Sequence, residues 1–237
     1  MTTFVFSKTE PRTGRMQRRR LRSEEVYDRL RRDITAQRLP PGGVLNEASL
    51  GERYDASRTP IRQALFRLQQ EGFLDKVGRQ LRVKQFTFAE VEELYQLRES
   101  LEKMAVRLCI DRASDSDLAE LDRQLDLYTG FDPESETEAF NEHSIKFHRT
   151  IARLSGNEMI RGALEGIHDW VMVISARYLA RAHSFQEAQR EHGLIVKALW
   201  DRDVMLAEAA VRFHIQGVIK LYRQSNTAPE VNEEAGG

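Results

Sequence analysis

Three histidines, His148, His192 and His214, each stand among apolar residues at helical spacing, beside or one turn from Ile151, Ile195 and Val218. Each side chain is expected to face inward. A single inward histidine is ordinarily a hydrogen-bonded core residue, because a buried imidazole needs partners for its ring nitrogens. Three on separate helices have a second use: as neutral imidazoles they could converge on Zn²⁺, Ni²⁺ or Mn²⁺ and leave coordination positions open for a ligand. Spacing alone does not establish convergence, so both readings stand at this level. Arg98 lies one turn before Glu102, a spacing that on an exposed helix gives a surface ion pair.

A second group of reactive types falls in residues 57 to 72, SRTPIRQALFRLQQEG. Arg58 and Arg62 are one turn apart and off the apolar stripe of Ile61, Ala64, Leu65 and Leu68, so both project from the outer edge near the helix start. The helix dipole disfavours cations there by a few tenths to about 1 kcal/mol. A bound anion reverses that sign, because free backbone N–H groups, the hydroxyls of Ser57 and Thr59 and both arginines then act together on a phosphate or a guanine edge. Solvated surface arginines are the ordinary alternative for any such pair.

The elements needed to position these groups can be read outward from them. Ser57 is placed to cap the helix and Gly72 to end it. Before it, Asn46 can cap a short helix with Leu50 and Tyr54 on its inner face, and Asp55-Ala56 makes the turn between the two. Further upstream, Ser23 offers an N-cap for a helix carrying Val26, Leu30 and Ile34, which LPPGG at 39 to 43 terminates. After Gly72, FLDKV and LRV are β-compatible runs separated by Gly78, Arg79 and Gln80, a two-stranded wing. Residues 1 to 22, with RMQRRRLR, are expected to form a basic flexible arm, and residues 226 to 237 a flexible tail.

From Phe88 the chain reads as helices throughout. Val91, Leu94, Leu97, Leu101, Met104 and Leu108 trace one stripe, and Leu118, Leu121 and Leu125 a second. TGFDPESET at 129 to 137 is the clearest loop, and a helix containing FNEHSIKFHRTIARL should end at Ser155-Gly156-Asn157. Helices through IHDWVMVISARYL, EHGLIVKALWDRD and AEAAVRFHIQGVIKLY follow, giving an antiparallel all-α bundle. The fold class is thus mainly α: a winged helix-turn-helix over 23 to 84 and a helical domain over 85 to 225. The lone cysteine, Cys109, sits in an apolar pattern and is expected to be a buried structural thiol.

Composition agrees with that division. The 237 residues are 41% hydrophobic and 31% charged with a net charge of −1, as for a folded protein with room for one large or two modest domains. Residues 1 to 84 hold 19 Lys and Arg against 10 Asp and Glu, and the remainder 17 against 27. A basic module joined to an acidic one suits a polyanion-binding domain with a separate sensing or assembly domain. No apolar run reaches the roughly 20 residues of a membrane helix and the N-terminus lacks a secretory core, so a cytoplasmic location without membrane contact is expected.

The stretch LPPGGVLNEASLGERYDASRTPIRQALFRLQQEGFL resembles the winged helix-turn-helix signature of GntR-type bacterial transcription regulators. The resemblance implies operator contacts by Ser57, Arg58, Thr59 and Arg62, with Arg58 reading guanine and Gly78 to Gln80 entering the minor groove. Ala48 departs from the phosphate-contacting arginine of many relatives, and the wing is short, so Arg79 and Arg82 would supply backbone contact. VEELYQLRESLEKMAVRLCI, FHRTIARLSGN, EHGLIVKALWDRD and VRFHI are similar to motifs of the FCD domain, the effector-binding bundle of the FadR branch. In metal-binding members three histidines correspond to His148, His192 and His214, and an Asp or Asn one turn before the first completes the site. Here that position is Ser144, a poor ligand; a water could take its place, and Asn141 is a weaker substitute. The arginine of the LRxxLE motif, here Arg98, would bind an effector carboxylate. His143, His168 and His183 have no counterpart and are read as surface or rim residues.

The function expected from residues and resemblance together is a homodimeric, metabolite-responsive regulator, not an enzyme: a repressor released from a palindromic double-stranded DNA operator by a small organic acid. Two other classes are open at this level. A metal-dependent hydrolase would use the same three histidines but needs a general base, and Ser144 replaces the carboxylate nearest at hand. A ligand-independent architectural DNA binder would have no need of so large a helical domain.

Overall fold

A computed structural model describes residues 12–127, 136–178 and 185–227. The chain divides into two compact units, one ending at Gln85 and the other beginning at Phe86.

In the first unit α1 (Arg12–Thr35), α2 (Glu47–Arg53) and α3 (Arg58–Gln70) surround a small core, with β1 (Val44–Leu45), β2 (Leu74–Val77) and β3 (Gln80–Val83) beside them. Helix α1 starts upstream of the expected cap at Ser23. The Arg, Met, Gln and Leu residues before it are strong helix formers and carry the helix through the second part of the expected arm; residues 1–11 lie outside the described residues. Leu30, Ile34, Ile61, Leu65 and Leu68 are fully or almost fully buried and lock α3 against α1. Asn46 caps α2 as expected, its side-chain oxygen accepting from the N–H groups of Ala48 and Ser49 at 2.8 and 3.2 Å. Gly72 adopts φ +79°, the left-handed conformation that lets the chain leave α3.

The sheet is antiparallel in the order β1-β3-β2, with Val44 opposite Arg82 and Val77 opposite Gln80. The expected wing is corrected in two ways. A third strand, β1, pairs with its last strand, and Gln80 belongs to β3, so the turn is Gly78 and Arg79 alone. Gly78 has φ +61° at the first of the two turn positions, the place a II′ hairpin reserves for glycine.

The second unit is helical: α4 (Phe88–Arg112), α5 (Asp115–Asp126), α6 (Thr137–Leu154), α7 (Glu158–Tyr178), α8 (Phe185–Trp200) and α9 (Val204–Thr227). Capping boxes at Thr87/Glu90 and Ser114/Asp117 start α4 and α5. Gly156, at φ +60°, ends α6 where expected, and Arg112 donates to the Ser155 carbonyl at 2.8 Å. The expected loop at 129 to 137 falls outside the described residues except at its end, where Thr137 opens α6. Of the expected tail, Asn226 and Thr227 belong to the last turn of α9, and residues 228–237 lie outside the described residues. Cys109 is fully buried, and burial pushes its thiol up to about 11.

Helix α4 bears out the expected apolar stripe in part: Val91 and Leu94 are buried, and Leu101 and Leu108 are partly buried and packed against the core. Its buried face is Val91, Leu94, Tyr95, Arg98, Glu102, Ala105, Val106, Cys109 and Ile110, while Leu97 and Met104 are about half exposed. The inward face takes in two charged residues that neutralise each other inside the bundle, an arrangement that hydrophobic periodicity cannot register.

Candidate nucleic-acid interface and metal centre

Ser57, Arg58, Thr59 and Arg62 are all exposed at the start of α3, and Gly78, Arg79 and Gln80 are exposed at the tip of the sheet. Ser57 occupies the N-cap position but its side chain makes no capping bond. Pro60 removes one of the two donors such a cap can use, the N–H of Thr59 being the other. A capping hydroxyl accepts from the N–H two or three residues on, and the third residue here has none. The expectation that Ser57 caps α3 is thereby corrected, and the pattern S-x-x-P already carried the signal. Arg62 donates through Nε to both carboxylate oxygens of Glu47 on α2, at 2.9 and 2.8 Å. Sequence reasoning gave Glu47 no role.

In the helical unit His148 from α6, His192 from α8 and His214 from α9 meet. They are buried, and one ring nitrogen from each lies within 4.8 Å of the other two. The Nε2 atoms of His148 and His192 stand 3.1 Å apart. Nitrogens bound to a common metal at about 2.0–2.1 Å would stand about 3.0 to 3.4 Å apart, depending on geometry. His148 turns its other nitrogen, Nδ1, to Glu102 Oε2 at 2.9 Å, and His214 turns Nδ1 to Glu191 Oε2 at 2.8 Å. A carboxylate beside the second nitrogen of His148 and of His214 is the kind of support that fixes a metal-binding tautomer. The donor set therefore fits a divalent metal.

Burial pushes His148 down to about 3, and it also lowers His168, His192 and His214. These imidazoles are neutral at pH 7, the form a metal binds. Burial would raise the Glu102 carboxyl, but Arg98 and then His148 outweigh it and hold it well below the usual range. Arg98 donates from Nε to Glu102 Oε1 at 2.7 Å, with both side chains almost wholly buried. The pair that spacing placed on a surface is therefore internal, directly behind the histidines.

The reading of the other histidines also changes. His168, expected at the rim, is fully buried and sets its Nε2 3.1 Å from Glu102 Oε1. His143, expected likewise, is buried with Nε2 2.6 Å from the Gln124 carbonyl; His183 lies outside the described residues. Ser144 is half-buried one turn before His148. Asn141 is buried, with no hydrogen-bond partner for its Nδ2 among the described residues. The missed members of the centre, Glu102, Glu191 and His168, come from helices α4, α8 and α7, and nothing in local spacing joins them to their partners.

Comparison with protein families matches residues 22–80 to the "Bacterial regulatory proteins, gntR family" model and residues 93–217 to the FCD domain. The chain belongs to the GntR family of transcription regulators, in the branch that carries an FCD domain. The regulator is 34% identical to the Nta operon transcriptional regulator of Aminobacter aminovorans, over 74% of this chain and 82% of that one. It is 24% identical to the HTH-type transcriptional repressor RspR of Escherichia coli K12, over 85% and 89%. Among solved structures, E. coli McbR/YncC superposes with a TM-score of 0.70 at 22% identity, covering 86% of the regulator and 98% of that chain, a likeness of fold. Among the described residues no helix is long and apolar enough to cross a membrane.

Proposed function

We propose that this regulator is a homodimeric, metal-dependent sensor that represses from a palindromic operator and is released by a small organic acid. The observation that carries the sensing half is the meeting of His148, His192 and His214 in front of the buried Arg98–Glu102 pair. Three neutral imidazoles would hold Zn²⁺ or Ni²⁺, with Mn²⁺ less favoured because no carboxylate joins the set. When bound, such a metal supplies an electrophilic anchor with open positions. Arg98, carrying two donor edges, would take the other end of an acid, and Ser144 would border it.

A hydrolytic role finds less support. Glu102 and Glu191 are each engaged with a histidine Nδ1, so neither stands as a ready general base. The DNA-binding half rests on the exposed start of α3, with Ser57, Arg58, Thr59 and Arg62 at the major groove and Gly78, Arg79 and Gln80 at the minor groove. Repression is the reading that agrees with the description of RspR as a repressor.

The experiment is a mobility-shift assay with duplexes selected by the protein from a randomised pool, titrated with a panel of small acids with and without chelator. A metal-dependent loss of the shift on one class of acid is expected. A shift that no acid alters, or an acid consumed during the assay, overturns the sensor reading.

A further inference from the structure

The contact between Glu47 and Arg62, fifteen residues apart in sequence, joins α2 to α3, and both ends are firmly placed. Glu47 is the first residue of α2, directly after the Asn46 cap, where its charge also suits the helix dipole. The helix is held by the buried Leu50 and by Tyr54, whose hydroxyl donates to Asp33 at 2.6 Å. Arg62 follows the buried Pro60 and Ile61 on α3. The contact is made wholly through Nε, whose single N–H is shared between the two carboxylate oxygens. The opposite edge of the guanidinium, Nη1 and Nη2, is the one whose two parallel N–H groups match guanine O6 and N7.

With side-chain exposures of 69% and 36%, a pair of this kind adds little to stability. Its effect lies in orientation. An arginine on a free helix surface samples many rotamers and attracts any phosphate within reach, whereas one fixed at Nε presents its end edge in one direction. Arg58 has no such clamp among the described residues. The carboxylate also opposes the pull of Arg62 on phosphates when no base satisfies the end edge, which penalises non-cognate DNA.

We infer that Glu47 is a specificity-determining positioning residue, holding Arg62 by Nε so that its Nη1–Nη2 edge reads one base pair in each operator half-site. This rests on the DNA-binding reading above. It adds a base-reading role for Arg62 to the one that the resemblance gives Arg58.

The test compares the full-length wild type with Arg62→Ala, Glu47→Gln and Glu47→Asp by selection from a randomised duplex pool, followed by binding at several salt concentrations. Wild type should enrich a two-fold motif, and Arg62→Ala should flatten one position in each half-site. Glu47→Gln should flatten that same position, with about tenfold or greater loss of discrimination, and should bind unselected DNA more tightly with a salt slope steeper by about one. Glu47→Asp keeps the charge but not the reach, so it should flatten the position without steepening the slope; it also serves if the glutamine variant melts. A motif unchanged in both Glu47 variants while Arg62→Ala alters it overturns the positioning role, as does a motif indifferent to Arg62→Ala. Enrichment of no motif by wild type overturns instead the operator reading beneath it.

Discussion

Pro60 and Glu102 illustrate how far one residue can redirect its neighbours. Pro60 removes one of the two backbone N–H groups that Ser57 could cap, and the uncapped hydroxyl stands at a helix start with free N–H groups of its own. Glu102 gathers Arg98, His148 and His168 around one carboxylate. The charge states of that cluster give a pH dependence with a definite sign. Burial lowers His148, His168, His192 and His214, so the folded chain binds protons less readily than the unfolded one, whose histidines titrate near 6.5. Glu102, also lowered, acts in the same direction at more acid pH. Stability is then fully present above about pH 6.5 and is lost as pH falls towards 3. In chelator-treated protein the urea midpoint should drop between pH 7 and pH 5, by an amount corresponding to at least about 2 kcal/mol. An unchanged midpoint over that range would mean that the imidazoles are not held neutral by burial.

Among the elements, α4 separates what sequence makes legible from what it hides. The helix itself, from Phe88, and the burial of Cys109 follow from apolar content. Its inward face follows only in part: Val91 and Leu94 are buried as periodicity has it, but periodicity also assigns Leu97 and Met104 inward and Arg98 outward. The internal charged pair is flanked by histidines from α6 and α7, 46 and 66 residues away in the chain, which bring a ring nitrogen to within 2.9 and 3.1 Å of Glu102. The same reasoning covers the histidine centre. Three inward histidines can be read one at a time, but the carboxylates behind them arrive from other helices or other turns. In the first unit the two strands of the wing are legible, while β1 is too short to announce itself. The energetic consequence for α4 is specific. Glu102→Ala would leave Arg98 buried without its counter-ion and should destabilise the helical unit by about 3 to 5 kcal/mol. It should also weaken metal binding about 10–100-fold, through loss of the His148 support. Urea unfolding and metal titration measure the two effects. A variant that loses neither would place the Arg98 charge in contact with solvent.

For the whole molecule, the exposed apolar residues on α4 and α9 bear on assembly. These helices pack along each other, tied at their edges by Arg107–Glu208, Gln216–Glu99 and Arg223–Glu92. Leu97 and Met104 on α4, with Leu206 and Phe213 on α9, remain exposed. Large apolar side chains left on two adjacent helices are the usual mark of a surface that another chain covers. In the proposed homodimer a two-fold axis would bring two copies of this surface together and set two α3 helices on the two halves of a palindrome. One half-site alone offers few contacts, and joining two makes the second binding event intramolecular, raising apparent affinity by about 10²-fold or more. Replacing Leu97 and Phe213 together by aspartate should therefore yield a monomer by sedimentation that still folds, since neither side chain is part of the buried core. That monomer should bind metal as well as the wild type does, because every histidine and carboxylate of the proposed centre comes from one chain. Its affinity for a two-half-site duplex should fall to nearly that for a single half-site. A double variant that still sediments as a dimer would assign the association to another face.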